Sequence, residues 1–222
     1  MTTYLFLKLL HLLAFVYWLG GDLGTFFSSR FVVDPKLTPA QRTTALKIML
    51  GCDQGPKLCM PLIFAIGFSM STQLQFIVAP LWAEMLVWIV CVAWFANVNW
   101  LYFTDNQAAK AKVAAFDLWF RVLVVILLGG AAIWALLGDN FIRPDWLALK
   151  ILVFAALVAC GIYIRIQLKP FVAAFGALVT TGSTEQVEAT LQKSLGRARP
   201  AVYLIWVGLI LNAALGLHLI RL

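Results

Sequence analysis

Charge is scarce in this chain. Asp, Glu, Lys and Arg make up only 12% of its 222 residues, where a soluble domain carries about 25%. Together with 63% hydrophobic residues and a mean hydropathy of +0.91, this excludes an ordinary water-soluble globule and points to an integral membrane protein. Histidine occurs only twice, at His11 and His218, too few for a hydrolytic metal centre of the three-ligand kind. The four cysteines (Cys52, Cys59, Cys91 and Cys160) contain no CxxC pair and read as free thiols. There is no Walker A loop, no GxSxG, no HExxH and no dinucleotide fingerprint. The five methionines form no cluster of the kind copper transport uses. The net charge of +7 does not indicate nucleic-acid binding, because in a membrane protein Lys and Arg gather in the loops and set orientation.

What is present is a series of long apolar runs. A span needs about 20 residues to cross roughly 30 Å of hydrocarbon. Six segments qualify: 4–27, 57–77, 80–103, 118–137, 145–168 and 200–220. They are continuous rather than alternating, which excludes a membrane β-barrel. The first is too long for a signal-peptide core, and no A-x-A-like site follows it. The expected fold is all-α: one membrane domain over residues 1–222, a bundle of six transmembrane helices. The odd-numbered loops and their flanks carry thirteen Lys and Arg, and the even-numbered loops only Arg143. The odd loops are therefore expected in the cytoplasm and both termini outside, in the periplasm.

Two basic loops hold short helical signals. TPAQ, at Thr38–Gln41, reads as a capping box with Pro39 in the first turn, opening a helix expected to stop at Gly51. STEQVEATLQKSLG reads as a second helix, capped by Ser183 or Thr184 and ended by Gly196. A weak internal repeat is also visible. Gly67 and Gly129-Gly130 each precede a short outer loop, after which Pro80 or Pro144 leads into the next span.

The polar residues inside the spans carry the functional question. A charge at the bilayer centre costs at least about 2.5–3.5 kcal/mol, so such residues face the bundle interior and are functional candidates. At about 100° per residue, Lys8, Phe15, Trp18 and Asp22 fall within about 60° of His11 on the first helix. Gly20 and Gly24 lie opposite and form a GxxxG packing face. His218 is expected near the outer end of the last span, His11 near the outer end of the first, at depths of roughly 6 and 10 Å. Neutral imidazole is an axial ligand for haem iron and a common ligand for copper. Two histidines from two helices suit a b-type haem; an interhelical hydrogen bond for His11 and an interfacial place for His218 are the simpler alternatives. Glu84 and Lys150 fall in the same leaflet. Lys150 has three readings: it snorkels to the surface, pairs with Glu84, or holds a haem propionate. Asp22 is expected to pair with a base such as Arg30, and Asn97 and Asn99 to link helices.

The stretch YLFLKLLHLLAFVYWLGG, with Lys8, His11, Trp18 and Gly20-Gly21, resembles the first helix of the CopD-like and HemJ-like membrane proteins. DWLALKIL, at Asp145–Leu152, is similar to their Trp-Leu-x-x-Lys-Leu at the head of a later helix. The resemblance covers about a quarter of the chain. It implies membrane redox or metal work in a bacterial inner membrane: haem-linked protoporphyrinogen oxidation in the HemJ-like branch, copper uptake or resistance in the CopD-like branch. It implies His11 as the haem or metal ligand and Lys150 as a second functional residue. Two positions depart from the HemJ-like pattern: Phe27 stands where those proteins carry Arg, and ALVACGIYIR lacks their late His.

The leading expectation is a b-type haem near the periplasmic face, with His11 and His218 as ligands and Lys150 and Trp18 completing the site. The role would be electron transfer or haem-linked oxidation with a redox partner protein or quinone. The alternatives are copper or proton handling along His11, Asp22 and Glu84, and a non-catalytic subunit that docks partners or forms a homo-oligomer.

Overall fold

The computed structural model describes residues 2–138 and 141–220. Seven helices follow one another: α1 (Thr2–Val32), α2 (Pro39–Gln73), α3 (Leu81–Phe103), α4 (Gln107–Leu136), α5 (Asp145–Gln167), α6 (Lys169–Thr181) and α7 (Glu185–Gly216). Among the described residues there is no strand, only an isolated bridge between Ile77 and Ile142. The contacts run in a closed circuit: α1 on α2, α2 on α3, α3 on α4, α4 on α5, α5 on α7, α7 back on α1.

The core sits inside this circuit, built from Trp18, Met60, Trp94, Phe154, Val158 and Leu209. Outside, the circuit is coated with large apolar side chains left uncovered, among them Leu81 at 74%, Trp119 at 71% and Phe116 at 68% exposure. In water so much exposed hydrocarbon would drive association; against lipid it is the ordinary surface of a spanning helix. Among the described residues, five helical runs are long and apolar enough to cross a membrane: α1, α3, α4, α5 continued through α6, and α7. The chain is a multi-pass membrane protein in contact with the bilayer. The expected second span differs from these. α2 is not among the five, because its apolar part carries Pro61 and closes in Ser69, Ser71, Thr72 and Gln73.

The helix starts follow short-range chemistry. Thr38 caps α2, with the reciprocal Gln41 bond of a capping box, and Thr184 caps α7. The expected stops at Gly51 and Gly196 do not occur: α2 runs on to Gln73 and α7 to Gly216. A mid-helix glycine costs only about 1 kcal/mol, less than burying a helix face returns. Even the internal prolines Pro56, Pro61 and Pro200 do not end these helices, since packed neighbours compensate for the freed backbone groups.

The basic ends of α1, α2 and α7 and the short α6 form a second core of Val32, Met49, Phe171, Phe175, Leu178 and Leu191. Arg42, 1% exposed, is its polar clamp: Nε donates to the Val32 carbonyl at 2.8 Å, and NH1 and NH2 donate to Glu188 at 2.7 and 3.1 Å. This bidentate donation, with a further bond from Ser183, holds the Glu188 carboxyl below its ordinary range. A carboxyl whose folded pKa is depressed stabilises the fold above its unfolded pKa, and that contribution is lost as pH falls through the folded value. Glu188→Gln should therefore cost about 1–2 kcal/mol at neutral pH. The gap from the wild type should close on acidification, as thermal unfolding in detergent across pH would show.

At the opposite end, the loops after α2 and α4 lie side by side. Arg143 N–H donates to the Phe76 carbonyl at 2.9 Å, and Pro80 and Pro144 open α3 and α5. The two sequence-similar loops thus share one end of the bundle.

Candidate functional site

Below these paired loops, α1, α2, α5 and α7 enclose a cavity of about 460 Å³, within the usual range for small-molecule sites. His11, Trp18, Lys150 and His218 all line it. The stripe on α1 explains part of this convergence: Tyr4, Lys8, His11, Phe15 and Trp18 recur at helical spacing, and all face the cavity.

Trp18, 2% exposed, lies edge-on to Phe154 at 6.1 Å, and Phe154 stacks on Phe64 at 5.4 Å. These rings form a rigid apolar wall. Two glycines make room for the polar side chains. A Cβ on Gly67 would stand 2.9 Å from His11 Cε1, and one on Gly216 would stand 2.6 Å from Lys150 Nζ. Both contacts are closer than a real methyl group makes, so a side chain at Gly67 would displace the imidazole, whereas the Lys150 amine, at the end of a flexible chain, would swing aside more cheaply. His11 Nδ1 and Asn212 Oδ1 are buried without a hydrogen-bond partner. A buried polar atom left unpaired is uncommon and needs a reason.

His218 differs from its expected place on the last span. α7 ends at Gly216, and His218 follows in a turn with φ 55°, a left-handed conformation that His tolerates better than most residues. Its ring meets Trp146 edge-on at 4.9 Å, at the rim of the cavity.

The three expected ion-pair residues lie elsewhere. Glu84 accepts from Ser69 and from Thr72 at 3.1 Å, and Trp88 donates to the same Ser69 hydroxyl at 2.9 Å. It joins α2 to α3 and is not the partner of Lys150. Asp22 lies near Asp53 and Lys57 of α2 and shares a side-chain hydrogen bond with Trp18, one turn before it; Asp53 and Lys57 are paired with each other, and Asp22 Oδ2 is unpartnered. Arg30, its expected base, instead lies over Phe26 and Phe27 at 5.3 and 5.1 Å. The expected GxxxG face shifts by one residue. Gly20 has nothing near it, whereas Gly21 and Gly24 touch Pro56 and Cys52 of α2.

Asn212, Met70, Gly67 and Gly216 also line the site. The asparagine in the apolar run LILNAALG was a readable signal for one of them; the others depend on which helices meet. Among the described residues no three His, Cys, Asp or Glu side chains come together as a metal cluster. The arrangement is that of an α-helical membrane protein with an amphipathic chamber: aromatic walls, two imidazoles, and the cationic side chains Lys8 and Lys150. Comparison with family models, with curated proteins and with solved structures gives no match to this chain.

Proposed function

We propose that this chain is a six-span inner-membrane protein of the bacterial cell, both termini outside, that binds a b-type haem in the chamber and acts in electron transfer or haem-linked oxidation. The observation that carries the reading is the convergence of His11 and Trp18 from α1, Lys150 from α5 and His218 from the turn after α7 on one cavity. The excess of Lys and Arg in alternate loops supports the orientation, and the packing of α2 within the circuit supports its counting as a span despite its modest apolarity. The first-helix resemblance to CopD-like and HemJ-like proteins points the same way.

The donor set fits the group. His11 presents an imidazole with one buried nitrogen unpaired, set in place by Gly67. His218 offers a second imidazole from the rim. Lys150 and Lys8 would offer positive charge to its propionates, and Phe64, Phe154 and Trp18 would provide apolar contact for its ring system. When bound, haem supplies one-electron redox chemistry, with its potential set by ligands and burial. The chain's own residues would orient the ligand, exclude water from its apolar face and neutralise its acid groups. A membrane quinone or a redox protein at the outer surface is the proposed partner.

The test is the absorption spectrum of protein purified after expression with added haem. A Soret band that shifts on reduction and is lost in His11→Ala is the expected result. No band, or one indifferent to His11→Ala, would overturn the reading. One observation favours a second ligand: Met70 lines the same cavity as the two histidines, and thioether with imidazole suits Cu(I). Stoichiometric copper in a haem-free preparation would select it.

A further inference from the structure

We infer that the basic end of the bundle carries a site for the phosphate of an anionic phospholipid, in the angle between α1 and α7. This site is independent of the chamber and lies at the other end of α1.

Its centre is Phe26, buried at 8% exposure and flanked by Tyr203 at 5.5 Å and Trp206 at 5.1 Å. Two guanidinium groups close on the same ring: Arg30 at 5.3 Å and Arg199 at 5.9 Å from its centroid. Neither has a carboxylate within ion-pairing distance among the described residues. In this they differ from Arg42, Arg121 and Arg165, each of which is paired with Glu188 or Asp117. The neighbouring hydrogen-bonding groups are donors as well. Arg199 Nε and Trp206 Nε1 are both buried and without an acceptor.

Two positive charges and two unused buried donors, with no anion between them, form a set that an anionic oxygen completes. Arginine is the side chain best suited to phosphate, because its planar fork matches the oxygen spacing. Position decides between a free phosphate and a lipid. Phe27, Tyr203 and Leu204 beside the site are exposed at 53%, 47% and 60%, so the surroundings are apolar and aromatic, as at the level of the headgroups. A free anion would leave this surface uncovered, whereas a phospholipid covers it with acyl chain. Basic pockets between helices on the positively charged side are known to hold anionic headgroups.

The experiment is native mass spectrometry of the full chain, offered equal amounts of phosphatidylglycerol and phosphatidylcholine in detergent. The wild type should retain phosphatidylglycerol selectively. Arg30→Gln with Arg199→Gln should lower that retention on the order of tenfold, and Arg30→Lys with Arg199→Lys should keep most of it. Equal retention of the two lipids, or unchanged retention in the glutamine variant, would overturn the site. Should the glutamine variant not fold, Trp206→Phe removes one N–H while keeping a ring; undiminished selectivity there would count against the proposal. A thermal-shift arm separates the two sources of phosphate. If inorganic phosphate stabilises the lipid-free protein as much as phosphatidylglycerol does, the lipid assignment fails.

Discussion

Asp117→Ala is expected to destabilise the protein by about 3–5 kcal/mol, the cost of breaking a buried ion pair from one side. Asp117 is 2% exposed and, among the described residues, is the only anion in a network that ties three helices together. It accepts from Arg121 Nε at 2.9 Å on α4, from Arg165 NH1 at 2.8 Å on α5 and from Asn97 Nδ2 at 3.2 Å on α3. Removing it strands Arg121, whose side chain is 10% exposed, over the face of Trp94 with no counter-charge. The same logic ranks the partners. Arg165 is 35% exposed on its side chain and reaches water, so Arg165→Gln should cost only about 1 kcal/mol. Unfolding of the detergent-solubilised protein by heat or chaotrope measures both. An alanine variant as stable as the wild type would show that this network does not hold α3, α4 and α5 together.

Gly21→Leu should cost about 3 kcal/mol or more, the upper range for overfilling a packed contact, while Gly20→Ala should be neutral or stabilising by up to about 1 kcal/mol. The two positions are adjacent and opposite in sign. A Cβ at Gly21 would stand 2.4 Å from Pro56 Cδ and 2.8 Å from the Cys52 carbonyl oxygen. Neither a proline ring nor a helix backbone yields cheaply, so α1 and α2 must move apart. At Gly20 a Cβ meets nothing within 4 Å, and alanine then contributes only its better helix propensity. Thermal unfolding of the two single variants decides it. If Gly20→Ala is the damaging change and Gly21→Leu the tolerated one, the α1–α2 contact described above is wrong.

That pair shows where reading by residue type reaches its limit. Two glycines four residues apart mark a close approach somewhere on a helix, but a one-residue shift rotates the contact by about 100°, and the partner helix selects which glycine is used. Gly51 and Gly196 make the same point for helix ends. Glycine is a local signal worth about 1 kcal/mol, and continuous packing of α2 and α7 overrides it. Glu84 was legible as a functional candidate from its place in an apolar run. Its true partners, Ser69 and Thr72, follow from α2 lying against α3, which no spacing within α3 encodes.

The sequence by itself determined whatever depends on composition and on neighbours a few residues apart. The scarcity of charge requires a membrane. The capping box at Thr38 and Gln41 opens α2, because both partners lie within one turn. The 3.6-residue period places Lys8, His11 and Trp18 on one face of α1. Tertiary structure alone decided what that face looks into. Phe64, Phe154 and Asn212 come from segments up to about two hundred residues away, and Gly67 and Gly216 matter only because His11 and Lys150 are pressed against them. A cavity belongs to no helix; it is the space left when four helices pack, and its shape is set by the smallest side chains at their contacts.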